Sequence, residues 1–380
     1  MIFYGLMAAL TIALGCLVSN KEEENEIDLW KRNRMITRRQ GINFLSLLSV
    51  FTVLFLPAAL RLEVGNDYES YVDTIHEIYV GGYVVTEPLF NWVVKFLCEC
   101  SGGENYLLVF ACFSFVTLWI FLKVIYEQTE EFPLTFYLFM TLGIYFRTYN
   151  TMRYYFVLAM AMFSLRYILR KEYGKFLLFI IFSAFFHKSV LVVIPLYFIA
   201  LLPWKKWFVG LIILGSAAVF IFQDLFLKLA LILYPSYQNT VFLQTESGLG
   251  ENILTILRCV AVLVFCLLFY REGVKEEREN LFYFKLNLLA LCLYVCASFL
   301  PLVGRIGYYL ITPQIFLIPR LLGKIKEEKK KKVWLILILL AGAVYFLLFL
   351  RSAHEPGVRV LPYKSWLFYE KEFLNAETIF

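Results

Sequence analysis

Charge is scarce in this chain. Of its 380 residues only 17% are Asp, Glu, Lys or Arg, where a soluble domain carries about a quarter. Histidine occurs three times, and 61% of the residues are hydrophobic at a mean hydropathy of +0.70. Together these values exclude a soluble enzyme, a nucleic-acid reader and a disordered chain. Neither G-x-x-x-x-G-K nor G-x-G-x-x-G occurs, so no phosphate-cradling nucleotide loop is written into the sequence. Six of the eight cysteines (Cys16, Cys112, Cys259, Cys266, Cys292 and Cys296) lie inside apolar segments. Cys292 and Cys296 are one helical turn apart, but no His or carboxylate joins them at zinc spacing. Residues 1–18 lack a basic leader and a small-residue cleavage site, and the basic cluster follows the apolar run. They read as an uncleaved first span with its N-terminus outside.

Long apolar runs dominate what is present. They are not the ~10-residue alternating strands of a membrane barrel but helical runs, several near the ~20 residues that cross a bilayer. Runs bounded by charge or turn residues fall at 2–18, 42–60, 106–125, 133–146, 150–169, 176–186, 188–202, 208–222, 253–270, 281–300, 303–322 and 333–350. The sequence therefore predicts an all-α polytopic membrane protein of about twelve segments, some short or broken, forming a single membrane domain over 1–380. The run 176–202 is divided at His187-Lys188-Ser189, and the short stretch 88–100, which carries Lys95, reads as re-entrant or interfacial. With that division, 23 of the 36 Lys and Arg fall on inner segments and 12 on outer ones, as the positive-inside rule requires. The long segments 61–105, 223–252 and 351–380 then lie outside, where long loops would carry function.

Charge near hydrocarbon costs about 2.5–3.5 kcal/mol per residue on insertion scales and tends to mark a site. Here Arg61, Arg147, Arg153, His187, Lys188, Arg258 and Arg305 all fall at or near predicted outer ends of spans. A guanidinium stays charged when partly desolvated, and its planar fork matches phosphate oxygens. Such a cation set at an outer leaflet suits a lipid diphosphate. The first outer loop adds Asp67, Glu69, Asp73, Glu77 and Glu87 together with Tyr68, Tyr71, Tyr79 and Tyr83. Tyr68, Tyr71, Ile75 and Ile78 recur at helical spacing, with Asn66 or Asp67 as N-cap. That helix could lie flat on the membrane surface, or present a polar, aromatic wall to a sugar. Carboxylates beside arginines also offer the two needs of glycosyl transfer, a base for the acceptor hydroxyl and cations for the leaving diphosphate.

Five pieces of the chain, in order, carry a resemblance: Arg61-Leu-Glu-Val-Gly-Asn-Asp67-Tyr-Glu-Ser-Tyr71, Glu87-Pro-Leu-Phe90, Asn150-Thr-Met-Arg153, Phe186-His-Lys-Ser189 and Leu361-Pro-Tyr-Lys-Ser365. Together they resemble the EpsG family, Wzy-type polysaccharide polymerases of bacterial surface glycans. Asn66 stands where the family has Thr, and Arg153-Tyr154 where it has Arg-Gln, so no role for that glutamine carries over. The resemblance implies a GT-C-like membrane fold and a metal-independent, inverting glycosyltransferase without cofactors. It would act at the outer face of the bacterial cytoplasmic membrane, moving the growing glycan from polyprenyl diphosphate to the non-reducing end of a new lipid-linked repeat unit. Implied partners are the polyprenyl-diphosphate-linked oligosaccharides, the lipid bilayer, and a chain-length regulator and flippase of the same pathway, with no nucleic acid.

On chemistry and motif position together, Arg153 and Arg61 would hold the diphosphate, with Arg305, Lys188, Arg147 and Arg258 as further cations and Tyr68 and Tyr71 beside the sugar. His187 or Asp67 would take the acceptor proton. A carboxylate beside arginines is a weak base, whereas histidine titrates near working pH, which favours His187 as base and Asp67 as orienter. Glu87, just before Pro88, reads equally as a helix cap or a hydroxyl ligand. Two other functions remain open on residues alone: a flippase for lipid-linked oligosaccharide, and a glycan ligase or sugar acyltransferase.

Overall fold

A computed structural model describes residues 1–19, 37–233, 249–300, 303–355 and 357–368. The basic stretch within 20–36, the middle of the predicted loop 223–252 and the chain end 369–380 lie outside the described residues. The described chain is helical, with no strand. In order come α1 (Ile2–Gly15), α2 (Arg38–Ala59), α3 (Tyr68–Val80), α4 (Pro88–Cys100), α5 (Tyr106–Gln128), α6 (Phe132–Thr141), α7 (Ile144–Arg147) and α8 (Met152–Leu169). Then follow α9 (Tyr173–Ala184), α10 (Val193–Leu201), α11 (Lys206–Ile221), α12 (Gln223–Leu233), α13 (Leu249–Leu268), α14 (Arg278–Cys296), α15 (Val303–Ile311), α16 (Gln314–Gly323) and α17 (Glu328–Ser352).

Four of these, α2, α5, α14 and α17, are long and apolar enough to cross a membrane, and α11 with the start of α12 forms a further candidate bent by 85°. Shorter apolar helices among the described residues are Ile2–Gly15, Phe132–Thr141, Tyr173–Ala184, Lys188–Leu201 and Asn252–Leu268. The sequence expectation of about twelve segments counted apolar runs, and several runs are interrupted in ways hydropathy does not register. The run 133–146 breaks at Gly143, whose φ of 73° closes α6 in a left-handed turn. The run 303–322 breaks at Thr312-Pro313, ahead of α16. The run 176–202 parts after Ala184 and resumes as a 3-10 turn over Lys188–Val192.

The described residues divide into two compact units. The first comprises 1–163, 185–188 and 337–380, and contains the packed pairs α1 with α2, α2 with α5, and α3 with α4. Its connection from α2 to α3 is pinned from two sides. The carbonyl of Arg359 accepts from the Gly65 amide at 2.8 Å, the Lys364 carbonyl from the Leu62 amide and the Leu60 carbonyl from the Trp366 amide, both at 3.0 Å. On the other side Gly65, at φ 103°, lies so close to the Tyr149 carbonyl that a side-chain carbon would overlap it. Gly65→Ala therefore meets both a left-handed backbone that costs an L-residue about 1–2 kcal/mol and a backbone clash. We expect thermal unfolding in detergent several degrees below wild type; an unchanged midpoint would show that this turn yields.

The second unit comprises 164–184 and 189–336, built around α14, which packs on α10, α11, α13, α15 and α16. A polar network is buried in it. Arg258 Nε donates to Gln314 Oε1 at 2.6 Å and Nη2 to the Ile311 carbonyl at 3.1 Å. Gln314 Nε2 donates to Asn287 Oδ1 at 2.5 Å, and Asn287 Nδ2 to the Cys259 carbonyl at 3.1 Å. The Ile311 carbonyl is one of those released where α15 ends, so Arg258 satisfies a helix terminus that has no partner of its own.

Candidate functional site

Glu87 precedes a proline, which drives its backbone to the extended region (φ −72°, ψ 146°). Pro88 then opens α4 at a position where a missing N–H costs nothing. The Glu87 side chain makes no cap bond to its own helix. It turns instead to two other segments of the first unit. Oε2 is ion-paired with Arg153 Nη1. Oε1 lies 3.0 Å from His187 Nδ1 and accepts the Lys188 amide at 3.0 Å. Side-chain exposures of 13% for Glu87, 17% for Arg153 and 10% for His187 place the three at the edge of solvent, sheltered but not sealed.

Each partner is fixed by its surroundings. Arg153 lies in the first turn of α8, its guanidinium 5.0 Å from the Phe90 ring centroid and 5.9 Å from that of Tyr71. Its backbone amide donates to the Tyr71 hydroxyl at 3.3 Å. His187 sits where the 173–201 run is interrupted, and Leu89 of α4 donates to the Phe185 carbonyl at 3.2 Å, tying that break to the Glu87 helix. Phe186 packs edge-on against Phe156, centroids 4.7 Å apart. The His187 ring meets Tyr154 at right angles, centroids 6.1 Å apart.

Partial burial acts to raise the Glu87 carboxyl, but the His187 hydrogen bond, the Arg153 charge and the Lys188 amide outweigh it and hold the group down to about 2. The group is thus ionised at any working pH and acts only as an acceptor. Because its value in the fold lies below the ordinary 4.5, its contribution to stability is complete above that pH and lost as pH falls toward 2.

The other predicted residues fall into distinct settings. Asp67 is at the N-cap position of α3, yet its carboxylate makes no cap bond there and accepts instead from Thr151 Oγ1 at 2.6 Å, two residues before Arg153. Tyr68 and Tyr71 are each 5% exposed, because the 68/71/75/78 spacing is the inward face of α3. Arg61 is 1% exposed, between the Phe110 and Tyr149 rings at 4.6 and 5.5 Å, with Nη1 donating to the Ala58 carbonyl and to Ser114 Oγ. Arg147 lies over the Phe349 ring at 5.3 Å, and Lys188 is exposed beside His187. Arg258 and Arg305 belong to the second unit, Arg258 in the buried network and Arg305 in the first turn of α15. Among the described residues no group of three His, Cys, Asp or Glu is placed to hold a metal ion. The sequence offered Glu87 as a helix cap or a hydroxyl ligand, and gave no role to Thr151 although it lies two residues before Arg153 in the 150–153 piece.

Several long apolar helices fit a multi-pass membrane protein, and in its first unit a sheltered carboxylate joins an arginine to a histidine. The EpsG family profile matches residues 44–365, most of the chain, and the protein belongs to that family of Wzy-type polymerases, which points to a glycosyltransferase-like polysaccharide polymerase. The match ends at Ser365, the residue whose backbone bridges Arg61. No curated protein matches the chain. No solved structure matches it either.

Proposed function

We propose that the protein polymerises lipid-linked oligosaccharide repeat units at the outer face of the bacterial cytoplasmic membrane, in a GT-C-like architecture. The observation that carries this reading is the Glu87 carboxylate, which holds a cation, Arg153, and a base, His187, side by side in one unit. The acceptor is the non-reducing-end hydroxyl of a new repeat unit. Its oxygen attacks the anomeric carbon of the growing glycan from the face opposite the diphosphate, inverting that centre. The anomeric carbon–oxygen bond to diphosphate breaks, and the hydroxyl proton passes to His187. Charge arriving on the leaving polyprenyl diphosphate is met by Arg153, whose Nε has no hydrogen-bond partner among the described residues, and by exposed Lys188. Asp67, held by Thr151 against the same turn of α8, would orient the acceptor. With guanidinium and ammonium supplying the positive charge, the reaction needs no metal.

Supporting the outer location is the Lys/Arg asymmetry of the sequence. Cysteines introduced at exposed positions of 61–105 should react with an impermeant thiol reagent on intact cells, and one at 325–330 should not. Labelling at 325–330 in sealed cells would reverse the orientation and move the reaction to the inner face. Membranes holding the protein should lengthen a lipid-linked repeat unit into a ladder; translocation without lengthening would make it a flippase.

A further inference from the structure

The Glu87 carboxylate has no cap bond to its own helix, yet three groups from two other segments converge on it. A residue needed only to start α4 would not be arranged this way, since Pro88 and the extended backbone already do that. Nor is it arranged as a sugar ligand: the Lys188 amide and His187 ring both approach Oε1, while Arg153 takes Oε2. Held ionised, the carboxylate cannot donate a proton, so the His187–Glu87 contact at 3.0 Å requires the ring to donate through Nδ1. In a neutral imidazole one nitrogen carries the proton and the other the lone pair. The contact therefore leaves the lone pair on Nε2.

Resting on the polymerase reading above, we infer that Glu87 is a positioning residue. It fixes His187 in the tautomer whose Nε2 accepts the acceptor-hydroxyl proton, and through the same carboxylate it sets the place of the Arg153 guanidinium. The proton path is closed. The hydroxyl proton moves to Nε2 as the new glycosidic bond forms, giving an imidazolium whose charge faces the Glu87 carboxylate. That proton leaves to solvent or product before the next cycle, while Nδ1–H stays on Glu87 throughout. The charged and titratable groups around the ring are Glu87 from the start of α4, Arg153 and Tyr154 from α8, and the neighbouring Lys188. Among the described residues in contact with the ring, Glu87 is the anion and favours its protonated form.

Two consequences separate this role from a structural one. First, Glu87→Gln removes the anion and disfavours the imidazolium, so the acid limb of the pH profile for chain extension should move down. An opposite charge at this range moves a titration by about 1–3 pH units, and that is the expected displacement. Second, the amide can donate to Nδ1 and stabilise the opposite tautomer. In serine-protease triads the corresponding loss is about 10⁴-fold, and we expect a fall of about 10²- to 10⁴-fold in turnover with lipid-diphosphate binding changed far less.

The experiment measures chain extension against pH with full-length protein in membranes, on a synthetic polyprenyl-diphosphate repeat unit, for wild type, Glu87→Gln and Glu87→Asp. Aspartate keeps the charge but withdraws it by one methylene, so its acid limb should lie between the other two. If the glutamine variant does not accumulate, the aspartate variant decides by the same criterion. An acid limb unmoved in the accumulating variants, with turnover lost, would make Glu87 a structural residue and overturn the inference. Failure of the wild type itself to lengthen the repeat unit would instead overturn the polymerase reading.

Discussion

Replacing His187 with alanine should reduce glycan chain extension by at least about 10²-fold and up to about 10⁴-fold, the range supplied by one positioned proton-transfer group. Binding of the polyprenyl diphosphate should be nearly unchanged, because the cations of the site are untouched. The variant should reach the membrane at normal levels. The wild-type ring is sheltered at 10% side-chain exposure, beside Tyr154 and Glu87. The measurement is product length and rate at fixed substrate, paired with a binding assay for the lipid diphosphate. A variant that binds and extends like wild type would move the base to Asp67.

Arg153 carries the second large effect. Lysine keeps the charge but loses the planar fork and the face it offers to Phe90 and Tyr71. A hydrogen bond to a charged group contributes about 1.5–3 kcal/mol, and each ~1.4 kcal/mol is tenfold in rate. Arg153→Lys should therefore slow extension by about ten- to a hundredfold. Arg153→Ala should cost more, because it also leaves the Glu87 carboxylate without its cation partner. A lysine variant making glycan of normal length and amount would show that Arg153 serves only to hold Glu87.

Much of this was legible in the sequence, and the failures have physical reasons. Pro88 and the apolar run after it gave α4 its bounds, because a proline start is a local signal. The 68/71/75/78 spacing gave α3 and also its inward face, on which Tyr68 and Tyr71 are buried. Hydropathy found the apolar runs, four of which form helices long enough to cross a membrane, without showing that Gly143 and Pro313 divide two others, since backbone dihedrals leave no trace in apolarity. Arg61 stood out as a charge near hydrocarbon. Whether such a charge meets a phosphate or an aromatic box depends on partners distant in sequence, here Phe110 and Tyr149. Glu87 is the sharpest case. Before a proline, a helix cap and a three-way hub have the same local sequence, and only the approach of residues 153 and 187 tells them apart.

On this reading Glu87, His187 and Arg153 carry a metal-independent glycan polymerisation. The most direct measurement incubates purified protein with one radiolabelled polyprenyl-diphosphate repeat unit in excess chelator, and resolves the products by length. The wild type should give a ladder of lipid-linked oligomers, undiminished by the chelator, and His187→Ala none. A ladder that vanishes in chelator and returns with a specific divalent ion, or one that persists in His187→Ala, would contradict it.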